Sequence, residues 1–334
     1  MPSSIFNSKT SWLWTWLLVL LICATSLYSY EKFLQKKGFI ASIEQNKDLW
    51  SWYRSSLGKH KKELVILGAS RSQLDLNIPY LKNKLNDYHI TQLSINGHYP
   101  LYSLQSLAQD ENFKGTVLLS LNAQALEDFY FDMQKPHNQY YKNKASYYKS
   151  LDAYIQAFLQ SKFRFLHPLL GLQDLLNFYE ANHRFIDVFY VSNKLDQSVF
   201  ADYSKTNTQA LLKHFVSEKE KNYRDKKPTP PGQWLKNVKK LQTLVKKIEN
   251  RGGKVIAVRF PTDKDHWQLD EQYYPRSQYW DKITGLTKFH FKDIAGLEQF
   301  DLPDSSHLDE KDSEDFTEIL IEEIFSGLVF SRNS

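Results

Sequence analysis

The amino-acid sequence predicts an α/β protein whose parallel sheet is covered by helices on both faces and preceded by one apolar N-terminal segment. Three observations predict this. Short apolar runs that end in a turn recur along the chain, segments of helical period separate them, and residues 12–28 carry no charge. Strands that alternate with helices pair in parallel, because each crossover returns the chain to the same end of the sheet. A chain of 334 residues with 42% hydrophobic and 15% aromatic residues has enough apolar material for a large core, which excludes a mainly disordered protein.

The segment from Trp12 to Tyr28, WLWTWLLVLLICATSLY, is about the minimum length for one membrane span. Trp residues at one end and Tyr28 and Tyr30 at the other suit the two membrane interfaces. Residues 1–30 are therefore read as a tail and transmembrane anchor. A cleaved signal peptide competes with that reading, since Ala24, Thr25 and Ser26 offer small residues to a peptidase. A lipoprotein is disfavoured because the bulky Ile22 precedes Cys23. Flanking charge argues against export, with Lys9 before the span and Lys32, Lys36 and Lys37 after it. Cys23 is the single cysteine, so everything after it is thiol-free, as suits an oxidising compartment. The expectation is a single-pass protein of the inner, cytoplasmic membrane with its domain on the periplasmic or extracellular side.

Residues 31–62 read as a helical connector with Phe33, Ile40, Ile43 and Leu49 to Trp52 as apolar anchors, and residues 63–330 as one domain. Glu63 to Gly68 is a buried strand running into a turn, followed by helical spacing at Ile78, Leu81 and Leu85. His89 to Ile95 is strand-like, Leu101 to Leu107 is helical with Pro100 at its start, and Thr116 to Leu121 is a third strand. From about 125 to 232 the alternation gives way to a Tyr- and Phe-rich, mostly helical insertion, expected to cap the site. Its aromatics are read first as core, because each buries a large apolar area. After the break from Lys227 to Gly232, Trp234, Val238, Leu241, Val245 and Ile248 form one apolar stripe of a helix. Lys254 to Phe260 is the fourth strand, stopped by Pro261, and further helices are expected at 272–283 and 312–325.

In open parallel sheets ligands bind beyond the carboxyl ends of the strands, which here bring Ser70, Gly97, Asn122 and Arg259 to one edge. The C-terminal loop adds Asp304 and His307. A hydrolytic serine needs a base within hydrogen-bond reach and an acid to orient it, roles that suit Ser70, His307 and Asp304. Backbone N–H groups of Ser70 and Gly97 and the Asn122 amide are candidates to hold an oxyanion. Arg71 and Arg259 are candidates to grip a phosphate or carboxylate of the substrate, with a structural salt bridge as the plainer role. His98 is expected on the pocket wall. Each residue also has an ordinary structural use: Ser70 and Asp304 as caps, Gly97 as a turn, Asn122 as a strand-end partner of the backbone. No cofactor and no metal are expected, since no phosphate-cradling loop and no His or Cys cluster of metal spacing occurs.

These residues fall in four blocks in order: Gly68-Ala69-Ser70-Arg71-Ser72, Ser94 to Gly97, Leu121-Asn122, and Asp304-Ser305-Ser306-His307. In this the chain resembles the SGNH hydrolase superfamily of GDSL-like esterases. The resemblance implies a flavodoxin-like three-layer α/β/α fold and covers residues 63 to 325 apart from the insertion. It is similar in particular to single-span envelope proteins of polysaccharide O-acetylation and of teichoic acid D-alanylation. Val258 to Pro261, Tyr274 to Arg276 and Tyr279 to Asp281 also look like a bacterial branch of it. Ala69 departs from the Asp of the commonest first block, and Asn122 lacks the usual Gly-x-Asn-Asp setting.

The expected activity is that of an acyl esterase or O-acyltransferase acting on an acylated envelope glycan or glycolipid through an acyl-serine. The alternative is a catalytically weak scaffold of an envelope polysaccharide modification system. Expected partners are the membrane, the glycan or glycolipid and, for a transfer, a multi-span membrane acyltransferase. A formal charge of +5, with Lys213 to Lys247 the densest basic stretch, is no nucleic-acid footprint.

Overall fold

Side chains alternate between the two faces along each central strand of the sheet, and helices cover both faces. The computed structural model describes residues 8–329. The chain begins with α1 (Ser8–Lys36) and α2 (Lys47–Ser55), then β1 (Glu63–Leu67), the short α3 (Ser70–Leu74), α4 (Ile78–Lys84), β2 (His89–Gln92), α5 (Leu101–Gln109) and β3 (Thr116–Ser120). Next come α6 (Asp128–Phe131), α7 (Lys135–Asn143), α8 (Tyr147–Lys162), α9 (Leu172–Asn182), the hairpin strands β4 (Val191–Asn193) and β5 (Val199–Ala201), and α10 (Thr208–Asp225). The last part holds α11 (Pro231–Glu249), β6 (Lys254–Arg259), α12 (Lys264–Tyr273), β7 (Thr287–His290) and α13 (Ser313–Val329).

Five strands form a parallel sheet in the order β2-β1-β3-β6-β7. Numbered within the sheet, that is 2-1-3-4-5, the flavodoxin-like doubly wound order. Val65, Leu67, Val117, Leu119, Val255 and Ala257 face one layer, packed with Leu104 of α5 and Trp234, Val238, Leu241 and Val245 of α11. Leu64, Ile66, Leu118, Ile256 and Val258 face the other, with Ile78 and Leu81 of α4 and Phe316, Leu320 and Ile324 of α13. Strands buried on both faces need continuous apolar runs, which is why β1, β3 and β6 stand out in the sequence. The α11 stripe is fully covered, and each such side chain contributes about 2 kcal/mol of burial. The three-layer α/β/α class read from the sequence is the observed one.

The chain forms two compact units, residues 1–44 with 156–189 and residues 45–155 with 190–334. The sheet belongs to the second. In the first, Leu34 and Phe39 are buried with Leu170, and Glu31 pairs with Arg164 at 2.8 Å. Its helix from Trp12 to Lys36 is 25 residues long and apolar enough to cross a membrane.

Three elements differ from expectation. The helix expected at 272–283 lies earlier, as α12: the Asp263 carboxylate accepts from the His266 N–H at 2.8 Å to start it, and the approach to Pro275 ends it. Only a 3-10 turn, Trp280–Lys282, falls in the later stretch. The fifth strand, β7, was not foreseen, because Thr-Lys-Phe-His has no apolar run and takes its conformation from pairing with β6. Within residues 31–62, α1 runs on to Lys36 and α2 forms, but the stretch between them is not helical. The segment 125–232 is mostly helical and also contains the antiparallel β4–β5 hairpin.

Candidate active site

The strand order places β1 between β2 and β3, whose connections leave in opposite directions, and a crevice opens beyond their carboxyl ends. Ser70 follows β1 after Gly68 and Ala69 and begins α3. A Cβ on Gly68 would stand 2.1 Å from Ser72 Oγ and 2.7 Å from Ser120 Cβ, so only glycine lets the turn close this tightly. Ser72 Oγ is 2.7 Å from Ser94 Oγ, the Gln73 amide donates to Ser94 O at 3.0 Å, and the Gln92 amide donates to Ser72 O at 2.7 Å. These buried bonds lock the turn that carries Ser70 against the end of β2.

Asp304 and His307 come from the loop before α13. Asp304 Oδ1 accepts from the backbone N–H of Ser306 at 2.9 Å and of His307 at 2.8 Å, and Ser305 has φ +76. The loop is also tied to the segment after β6, where the Asp263 N–H donates to Ser305 O at 3.1 Å. Asp304 Oδ2 lies 2.8 Å from His307 Nδ1, and His307 Nε2 lies 2.7 Å from Ser70 Oγ. An ionised carboxylate only accepts, so Nδ1 carries the proton and Nε2 accepts from the serine hydroxyl. Burial would raise the Asp304 carboxyl, but hydrogen bonds from His307, the Tyr203 hydroxyl and the Ser306 amide outweigh it and hold its pKa below the ordinary value. Tyr203 donates to Oδ2 at 2.6 Å.

The cavity at Ser70 has a volume of about 400 Å³. Gly97 and Asn122 line it with Ser70 and His307. Gly97 has φ +70, in the left-handed region that favours glycine, and its N–H, like that of Ser70, has no hydrogen-bond partner among the described residues. Asn122 Oδ1 accepts from the Ala125 N–H at 2.8 Å, which turns its NH2 group toward Tyr99, whose hydroxyl is 3.5 Å away. These are three donors of the kind an oxyanion requires.

No family model matches the chain, and no curated protein matches it. Among solved structures, "Crystal Structure of TesA" is similar over 80% of this chain and 99% of that one, with 10% identity and a TM-score of 0.30.

The remaining residues singled out in the sequence divide. Arg71 lines the cavity and donates from Nε to Ser306 O and Oγ at 3.3 and 3.1 Å. Arg259 also lines it, but is held by an ion pair with Asp270 and by Phe260 O at 2.5 Å, the structural role. His98 does not line the cavity: its Nδ1 turns to Asn96 O at 2.7 Å while its neighbours Gly97 and Tyr99 face the crevice. Sequence reading missed Tyr203 and Asp75. Tyr203 sits in the insertion, about a hundred residues from Asp304, and only the β4–β5 hairpin brings it near. Asp75 is buried at the end of α3, and its Oδ1 accepts from the Leu308 N–H at 3.0 Å. Its neighbours Leu74, Leu76 and Ile78 alternate with polar residues and gave no signal of a buried carboxylate.

Proposed function

We propose that this chain is a membrane-anchored serine esterase or O-acyltransferase of SGNH type, acting on an acylated envelope glycan or glycolipid. The observation that carries the reading is the unbroken relay Ser70 Oγ, His307, Asp304 at 2.7 and 2.8 Å, opening on a cavity with unpaired N–H donors. Ser70 Oγ attacks the acyl carbonyl while His307 Nε2 takes its proton. Negative charge develops on the carbonyl oxygen, where the N–H groups of Ser70 and Gly97 and the Asn122 amide stabilise it. Collapse breaks the ester bond, and His307 returns the proton to the departing alkoxide. Water or a sugar hydroxyl, deprotonated by the same His307, then attacks acyl-Ser70 and frees the serine. Asp304 keeps the ring oriented and offsets the imidazolium charge at each step.

The apolar helix from Trp12 to Lys36 supports membrane attachment. The thiol-free domain supports export, and a multi-span membrane acyltransferase is the partner that a transfer reaction would need to supply acyl groups. A serine-directed fluorophosphonate probe is expected to label the wild type and not Ser70→Ala, with ester hydrolysis falling on the order of 10⁴- to 10⁶-fold. Equal labelling of the two proteins would remove the assignment.

A further inference from the structure

Three cationic side chains crowd the wall of the cavity that holds Ser70. Arg71 is the next residue on α3, Lys219 comes from α10, and Arg259 ends β6. Facing them are Asp270 and His266 of α12, the hydroxyls of Tyr223 and Tyr99, and Glu218 on the exposed rim. Arg259 is neutralised by its ion pair with Asp270, which also accepts from the Tyr223 hydroxyl. Lys219 Nζ lies farther from that carboxylate, at 3.6 Å, and donates to Gln124 Oε1 at 2.8 Å. Arg71 has no carboxylate within 4.0 Å among the described residues, and its Nη2 faces His266 Nε2 at 3.4 Å. Burial keeps His266 well below the usual histidine range, so it is neutral and accepts from Arg71. Within ion-pair distance one buried carboxylate therefore answers three cations, and the buried Asp75 acts on Arg71 only from farther away.

Such an excess is costly for a fold to hold away from water, and none of the three cations hydrogen-bonds to the Ser70–His307–Asp304 relay. A site that concentrates unmatched charge beside a nucleophile points to a ligand of opposite charge. We propose that Arg71 and Lys219 form a subsite for an anionic group of the substrate, a carboxylate or phosphate close to the ester that Ser70 attacks. The inference rests on the serine-esterase reading and adds the charge class of the substrate. Arg71 presents the planar fork suited to either anion, and Lys219 adds a point charge from the insertion, so the insertion sets specificity.

Lys219 also gives the subsite a pH signature. Burial, then Arg71 and Arg259, push its ammonium down to about 8 against the pull of Asp270. The cation is present below that pH and is lost above it. Asp270 is held far below the carboxylate range by the cations despite its burial, and burial keeps Tyr223 and Tyr99 neutral. Binding of an anion should therefore weaken as pH rises through about 8.

The test compares hydrolysis of 4-acetoxybenzoate, an anion, with its neutral methyl ester by the full-length protein. The anion is expected to have at least a tenfold higher kcat/KM at pH 7. Lys219→Met should remove most of that preference through KM and leave the neutral ester within about threefold, while Lys219→Arg restores it and abolishes the rise of KM above pH 8. Equal kcat/KM for the two wild-type reactions would overturn the subsite and leave the esterase reading standing. If neither ester is cleaved, the esterase reading fails and calorimetry decides the subsite. Inorganic phosphate or benzoate binding lost in Lys219→Met supports it, no binding of either overturns it, and the tighter of the two identifies phosphate or carboxylate.

Discussion

Asp75 carries an unmet electrostatic demand near the relay. It is fully buried, Oδ1 serves the Leu308 N–H, and Oδ2 has no partner among the described residues. Burial raises its pKa from 3.8 to about 7, with His307, the Leu308 amide and Arg71 restraining the rise. Because the folded value lies above the unfolded one, the folded state binds more protons between pH 4 and 7. Stability from this group is complete below 3.8 and is lost as pH rises toward 7, by at most ~4 kcal/mol. Asp75→Asn keeps the acceptor for Leu308 and removes the charge. It is expected to be about 2 kcal/mol more stable than the wild type at pH 8 and to flatten the pH dependence of urea unfolding between 4 and 7. An unchanged slope would assign that dependence to another group. Sequence alone did not reveal this, since nothing in a lone Asp after Leu74 tells that α13 and the His307 loop will close over it.

At the scale of elements, the turn from β1 into α3 is the most demanding. Gly68 must be glycine because of space, with Ser72 and Ser120 against it, whereas Gly97 must be glycine because of its backbone angle, with nothing within 4 Å of its missing Cβ. Gly68→Ala is expected to cost about 3 kcal/mol through displacement of Ser72 and its partner Ser94, read as a fall in thermal midpoint with loss of probe labelling at Ser70. Gly97→Ala carries only the smaller backbone strain, so a Gly68→Ala midpoint equal to that of Gly97→Ala would refute the steric argument. The strands of this sheet with continuous apolar runs at their centres, β1, β3 and β6, were legible because both of their faces are covered. The edge strand β7 and the register of α12 were not, since pairing with β6 and the Asp263 cap decide them.

For the whole molecule, the proposed reading has α1, which is long and apolar enough to cross a membrane, anchor the sheet domain. The full chain is expected to sediment with membranes, to resist alkaline carbonate and to begin at its original N-terminus, and protease added to spheroplasts should digest the domain. Release by carbonate would argue against a span, a new N-terminus near Ser26 would reveal a cleaved leader, and protection would place the domain in the cytoplasm. The sequence by itself determined the layer architecture, the apolar helix and the order of Ser70, Gly97, Asn122, Asp304 and His307, because hydrophobic period and strand-end position are local properties. Tertiary structure alone decided that Ser70 Oγ meets His307 Nε2 across 237 positions, that Tyr203 from the insertion supports Asp304, and that Arg71 and Lys219 are left short of negative charge while Arg259 is not. Charge balance and hydrogen-bond partners depend on which distant segments share a cavity, and a one-dimensional pattern does not carry that information.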